Sequence, residues 1–179
     1  PWEDADEEPD AFDLMQLARV VRAPRIPEGA TRRIGEIWGQ HGIPVLLRPH
    51  KEPPLFVRLP YAVDNRAWLQ ACGRINPKSV RSPKTGKIHW EVPMAWFGPL
   101  IRRCVTRYGR VYVVQPLNRT EICAESCWNA KRDLCECSCL GTNHGGGKPA
   151  GNWKEISEAF AIQWSGGELA CRLIVRPSM

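Results

Sequence analysis

Cysteine placement is the feature of this sequence that most limits how the chain can fold. Five of its eight cysteines lie within 17 residues, and a histidine follows after four intervening residues. The six side chains are Cys123, Cys127, Cys135, Cys137, Cys139 and His144. Thiolate and imidazole are ligands that zinc prefers, four at a time in a tetrahedron. The clustering therefore predicts a zinc-stabilised, knuckle-like segment over residues 120–150.

The spacing within this segment supports metal binding without selecting the ligands. Cys123 and Cys127 would share one face of a helix, and Cys135, Cys137 and Cys139 would share one face of a strand. Six candidates exceed four places, so either some are spectators or two ions share a bridging thiolate. An iron–sulfur cluster is the alternative cofactor, and free or disulfide-bonded cysteines are the simpler interpretation. A thiolate-rich set favours a structural over a catalytic ion.

Charge is divided unevenly along the chain. Residues 1–13 contain seven Asp or Glu and no Lys or Arg, whereas residues 19–119 contain 19 Lys or Arg and five Asp or Glu. A basic body is typical of proteins that bind polyanions, most often nucleic acid. The alternative is a protein that needs net charge for solubility. The acidic tail is a candidate contact for another protein, or for the basic body itself.

The apolar pattern predicts an α+β protein with a small mixed core. We expect an acidic tail at 1–13, a basic core at 14–119, the cysteine-rich segment at 120–150 and a C-terminal β-hairpin at 151–179 that packs back on the core. Helices are predicted near 10–21, 28–40, 64–73 and 93–108, and strands near 45–48, 55–59, 87–92 and 110–115. Residues 74–87 are predicted to be a basic loop.

Residues 55–115 carry a pattern of aromatic and polar residues within predicted elements. The pattern consists of Asn65, Arg66, Trp68 and Leu69, then Trp90, Val92 and Pro93, then Trp96, Phe97 and Leu100. It resembles the HARP module found beside some DNA-annealing helicases, over about a third of the chain, although the loop here is longer and more basic. The resemblance implies binding to forked or single-stranded DNA, with no catalysis by this module.

Lysine and arginine side chains neutralise phosphates, and aromatic rings stack on bases. We therefore expect nucleic-acid contacts from the residues that combine these properties in the basic core. They are Asn65, Arg66, Arg74, Lys78, Arg81, Lys84, Lys87, Trp90, Arg103 and Arg107. Trp96 is expected to pack in the core instead.

These patterns together predict a zinc-containing protein that binds nucleic acid and has no catalysis of its own. DNA is the expected ligand. One alternative is a metal-dependent nucleic-acid-processing enzyme that uses Asp133, Glu136 or His144. Another is a phage or mobile-element adaptor that binds and inhibits a host protein. No apolar run approaches the ~18 residues of a membrane span, and no signal-peptide pattern is present. We therefore expect a cytoplasmic protein without a membrane partner.

Overall fold

A computed structural model describes residues 28–49, 53–83, 85–117, 155–164 and 167–176. Three helices lie in these ranges: α1 (Glu28–Gly39), α2 (Asn65–Gln70) and α3 (Phe97–Tyr108), the last preceded by a 3-10 turn at Met94–Trp96. The strands are β1 (Val45–Leu47), β2 (Leu55–Arg58), β3 (Lys78–Arg81), β4 (Ile88–Val92), β5 (Arg110–Leu117), β6 (Glu155–Trp164) and β7 (Gly167–Val175).

The seven described strands form one sheet in the order β3-β4-β2-β1-β5-β7-β6. Neighbours are antiparallel except β1 and β5, which are parallel. The predicted α+β class is confirmed. The predicted C-terminal hairpin is also present as β6 and β7, and β7 pairs with β5 along the whole of that strand. The hairpin therefore extends the sheet of the core.

Helices cover both faces of the sheet, which explains why its inner strands are almost continuously apolar. Leu46 of β1 packs in the cluster that contains α3, whereas Val45 and Leu47 pack in the cluster that contains α1. In α1 the core residues are Ile34, Ile37 and Trp38. In α3 they are Phe97, Leu100, Ile101, Cys104 and Val105. Both sets follow the three- and four-residue spacing of an amphipathic helix.

Two glycines are needed for different physical reasons. Gly109 ends α3 with φ of 78°, and its N–H donates to Val105 O, as predicted for a left-handed helix stop. Gly73 follows α2, and a Cβ at this position would lie 2.9 Å from Nε1 of Trp96. A glycine is therefore needed at position 73 because the backbone closely approaches a buried indole ring.

The expectation that residues 74–87 form a loop was wrong. They contain β3, which pairs with β4 so that Ser79 lies opposite Trp90 and Arg81 opposite Ile88. Three of the four β3 residues are exposed, so the strand lacks the apolar alternation that would have revealed it. The remaining loop is short: Ser82 N–H donates to Lys87 O, and Gly86 has φ of 67°.

The predicted acidic tail, the helix near 10–21 and the cysteine-rich segment lie outside the described residues. The strands on either side of residues 118–154 are described, and their direction is informative. β5 and β6 run the same way, because each is antiparallel to β7. Leu117 and Glu155 consequently lie at opposite ends of the sheet.

Candidate nucleic-acid interface

Strand register gathers several predicted contact residues at one end of the sheet. Strands β2 and β3 finish there, and β1, β4 and β5 begin there, because Val45 pairs with Arg58 and Arg81 pairs with Ile88. Arg110 pairs with Val175, so the end of β7 lies there as well. We call this the basic end. Its described loops are residues 40–44, 59–64, 82–83, 85–87, 109 and 176.

Two cations at the basic end bind the C-terminal carbonyls of α1. Arg58 Nη1 donates to Trp38 O, and its guanidinium lies 5.6 Å from the centre of the Trp38 ring. Lys87 Nζ donates to Gly39 O at 3.3 Å. The last carbonyls of a helix lack backbone donors and carry partial negative charge, so cations stabilise them. Lys87 is a predicted phosphate contact. It therefore also has a structural role, because one of its charged N–H groups is used in this hydrogen bond.

The C-terminus of α3 is held in the same manner. Arg176 Nη2 donates to Val105 O at 3.1 Å and also to Thr106 O, while its backbone N–H donates to Gly109 O. In the last turn of α3, Arg107 donates to Asp64 Oδ1 at 2.7 Å. Both helices therefore end at the basic end, and each carries cations at its terminus.

The other cations of the basic end lie on strand termini. Arg81 Nη1 donates to Gly86 O at 2.8 Å and so braces the loop between β3 and β4. Arg110 is exposed, and its side chain makes no hydrogen bond or ion pair with another described residue. Four strand spacings separate β3 from β5, which places these two residues about 19 Å apart across the sheet.

Charge balance at this end favours an anionic partner. The permanent cations are Arg58, Arg81, Lys87, Arg107, Arg110 and Arg176. The acidic residues of this end are Asp64 in a loop, the exposed Glu36 in the last turn of α1, and Glu155 at the start of β6, which pairs with Val175. Each helix C-terminus adds about half a negative charge, so the surplus is about two positive charges. Capping therefore uses some N–H groups of these cations without neutralising the end.

Burial lowers the pKa of two histidines at this end, and neighbouring cations add to both shifts. Partial burial, followed by the charges of Lys87 and Arg58, lowers the pKa of His41. Burial also lowers the pKa of His89, with Glu91 opposing and Arg58 and Lys78 adding to the shift. His89 is 3% exposed between the rings of Trp38 and Phe56, and its Nε2 has no partner among the described residues.

The residues that resemble the HARP pattern dock α2 against its neighbours. Arg66 lies 5.3 Å from the Trp90 ring centre and donates to Pro77 O and Ser79 Oγ. Trp90 is 9% exposed and belongs to the core cluster, whereas it was expected to stack on bases. Asn65 is buried, and its Nδ2 donates to Pro60 O at 2.9 Å, which anchors the preceding loop.

Trp68 is the aromatic centre of this docking. The Arg103 and Arg107 guanidiniums lie 4.8 and 5.2 Å from its ring centre, and the Tyr108 ring lies 6.0 Å away at 75°. Arg103 also donates to Trp68 O at 2.7 Å. No described carboxylate pairs with Arg103. The pattern thus joins α2 to α3 through guanidinium–ring contacts, each of the order of 0.5–1 kcal/mol at a partly exposed site.

Two of the predicted contact residues lie at the opposite end of the sheet. Lys78 begins β3 and pairs with Glu91 Oε2 at 3.0 Å. Arg74 is exposed in the loop after α2, and its side chain has no hydrogen bond or ion pair within the described ranges. Lys84 lies outside the described residues. The structure therefore brings Arg81, Lys87 and Arg107 together and separates them from Arg74 and Lys78.

Sequence reasoning missed five residues at the basic end: His41, Arg58, Tyr61, Arg110 and Arg176. Arg110 and Arg176 are far apart in sequence, and only the β5–β7 register brings them together. The sequence signal that could have identified Arg110 and Arg176 is a cation placed directly after a helix stop or a strand.

All six predicted metal ligands lie outside the described residues. Within the described ranges, no group of three or more His, Cys, Asp or Glu could hold a metal ion. Of the described cysteines, Cys72 and Cys104 are free thiols and Cys171 is buried, and burial strongly raises the pKa of Cys104. Zinc binding at residues 123–144 stays a prediction.

Comparison with known proteins assigns no family. The chain matches no protein-family model, no curated protein and no solved structure. The resemblance to the HARP module therefore rests on the residues themselves. Among the described residues, no helix is both long and apolar enough to cross a membrane.

Proposed function

We propose that this protein binds nucleic acid, with DNA as the leading candidate, through the basic end of its sheet and without catalysis of its own. The observation that carries the proposal is the gathering of six permanent cations at one end of the sheet, where three acidic residues offset part of their charge. Phosphate neutralisation by such a surface gives affinity that is independent of sequence and falls with salt. We further propose that the protein acts in the cytoplasm.

The dimensions of the basic end fit a short nucleic-acid segment. The span of about 19 Å between Arg81 and Arg110 corresponds to between five and six steps of about 3.4 Å along one strand, and so to about six phosphates. Exposed Arg110 at one side and the braced loop of Arg81 at the other would fix the limits of such a segment. Lys87 and Arg107 belong to elements between them.

Binding to labelled DNA over a salt series tests this proposal. R81Q/R110Q removes two cations from the basic end and should reduce affinity about tenfold at low salt, with the salt slope lower by about 1.4 for a single strand. The matched control R74Q/K78Q removes two cations from the opposite end and should change affinity less than threefold. Equal losses in both variants would contradict a localised site.

For the cysteine-rich segment we propose a structural zinc ion held by four of Cys123, Cys127, Cys135, Cys137, Cys139 and His144. Support comes from donor chemistry and spacing alone. Elemental analysis of protein purified without added metal should find one or two zinc ions per chain in a colourless sample. Iron with a brown chromophore would support the iron–sulfur alternative, and absence of metal would contradict both.

Zinc is expected to act as a folding element of this segment. Chelation should then lower both stability and DNA affinity, because ligand binding energy contributes to folding. C135S/C137S should reproduce this loss. C72S is the control, since Cys72 is a half-buried free thiol outside the segment.

A further inference from the structure

The loop between β2 and α2 presents an aromatic ring to solvent at the basic end. Tyr61 is 90% exposed, and Val63 in the same loop is 92% exposed. Single exposed apolar residues are common on protein surfaces and need no explanation by themselves. The position of this pair matters, because the loop joins the basic end between Arg58 and the Asp64–Arg107 ion pair.

Several hydrogen bonds fix the backbone that carries Tyr61. Asn65 Nδ2 donates to Pro60 O at 2.9 Å, and Asn65 N–H donates to Ala62 O at 3.2 Å. Asp64 accepts from Arg107 at 2.7 Å through its side chain and from Trp68 N–H through its carbonyl. The buried Asn65 thus holds the loop from below while Tyr61 points into water. A ring on a fixed backbone loses little conformational entropy when a ligand stacks on it.

We propose that Tyr61 is a base-stacking residue that selects single-stranded nucleic acid, with the strand's phosphates lying on the cations of the basic end. This inference rests on the proposed function and adds to it the class of nucleic acid and the residue that recognises it. Trp90 cannot serve this role, since it is 9% exposed with Arg66 above its ring. Among the rings at the basic end, Tyr61 has its face open.

Charge and geometry both favour an unpaired base over other occupants. Asp64 is three positions after Tyr61, a chain length of at most about 11 Å, so a stacked base would place its phosphate near Arg107. In a duplex the base faces are stacked on one another, and only the edges are accessible in the grooves. A single-stranded ligand can present both a base face and a phosphate to this loop.

Comparison of two oligonucleotides that differ only in their bases tests the proposal. The probes are labelled oligothymidylate and an abasic oligomer with the same sugar–phosphate backbone and length. Y61A should weaken binding to oligothymidylate about tenfold, within the range of one lost stacking contact, and change binding to the abasic oligomer less than twofold. Y61F retains the ring and should bind both as the wild type does.

I75A supplies a matched control, because Ile75 is an exposed apolar residue in the loop after α2, at the opposite end of the sheet. It should leave both affinities unchanged. Tyr61 and Ile75 are solvent-exposed, so both variants are expected to fold, and their thermal midpoints confirm this before binding is measured.

The outcomes separate this inference from the proposed function. If wild-type protein binds neither the two oligomers nor blunt duplex, the proposed function itself fails. If both oligomers bind and Y61A weakens them equally or not at all, only the stacking inference is overturned. Tighter binding to blunt duplex than to oligothymidylate would also overturn it. So would a Y61A loss confined to anionic lipid vesicles, since that result would assign the loop to a membrane surface.

Discussion

The two ends of the sheet use cations in different ways. At the basic end, Arg58, Lys87 and Arg176 donate to helix carbonyls, which carry only partial negative charge. At the opposite end, Lys78 meets the full charge of Glu91. A carbonyl offsets only part of a cation's charge, whereas a carboxylate offsets all of it, as also happens in the Arg107–Asp64 pair of the basic end. The same residue types therefore yield an anion-attracting surface at one end and a locally balanced pair at the other.

The largest expected change in stability lies at the opposite end, at Gly73. G73A places a methyl group 2.9 Å from Trp96 Nε1, and the buried indole has little room to move. We expect a loss of about 1–3 kcal/mol in the free energy of unfolding, measured by urea denaturation. G109A at the basic end meets no atom within 4 Å but requires φ of 78°, and should cost about 1 kcal/mol. If G109A costs more stability than G73A, the Trp96 ring must move aside to accommodate the added methyl group.

Removing the cap on α3 should have the next largest effect. R176Q loses charged donors to Val105 O and Thr106 O and should destabilise the protein by about 1 kcal/mol in urea denaturation. K78Q breaks an ion pair in which the lysine side chain is 71% exposed, and should cost less than about 0.5 kcal/mol. Equal losses of stability in R176Q and K78Q would contradict the expected difference between a helix cap and a surface ion pair.

Stability should depend on pH through His89. Its pKa is lowered in the folded protein, mainly by burial, so the unfolded chain binds a proton more readily. The contribution of neutral His89 is complete above the unfolded pKa of about 6.5 and is lost progressively as pH falls below it. The thermal midpoint should therefore fall between pH 7.5 and pH 5.5, and H89Q should reduce that fall. An unchanged slope in H89Q would assign the effect to another group.

The smallest expected effect concerns affinity and Asp64, the carboxylate that pairs with Arg107 at the basic end. D64N removes a negative charge and releases Arg107 from its ion pair, so DNA should bind about twofold more tightly at low salt. E91Q at the opposite end is the matched control and should leave DNA affinity unchanged. Weaker binding by D64N would indicate that Asp64 positions Arg107 or the Tyr61 loop for the ligand.

Local sequence signals predicted much of the fold. The apolar spacing of α3 and the stop at Gly109 identified that helix, and the apolar runs of β1, β2 and β5 identified the centre of the sheet. Edge strand β3 was not predicted because its sequence, KSVR, is mostly exposed and carries no apolar alternation. The apolar periodicity of a sequence reveals a strand through its buried residues, and an edge strand such as β3 has few of them.

The candidate site was predicted in part for a related reason. Local charge identified Arg81, Lys87 and Arg107, which share the basic end. Arg110 and Arg176 come together only through long-range pairing of β5 with β7, which no local pattern encodes. Burial could not be read from composition either: Trp90 has the residue type of a stacking platform, but its strand position puts it beneath Arg66.

The place of β7 between β5 and β6 has a kinetic consequence. β7 follows β6 in the chain, yet it is the strand that joins β6 to the rest of the sheet. Arg110 cannot meet Val175 until the intervening chain has been closed into a long loop, and the entropy of that closure slows folding. A metal ion that ties residues 123–144 together would shorten the effective loop before β7 arrives. Refolding measured with and without zinc would then differ in rate as well as in final stability.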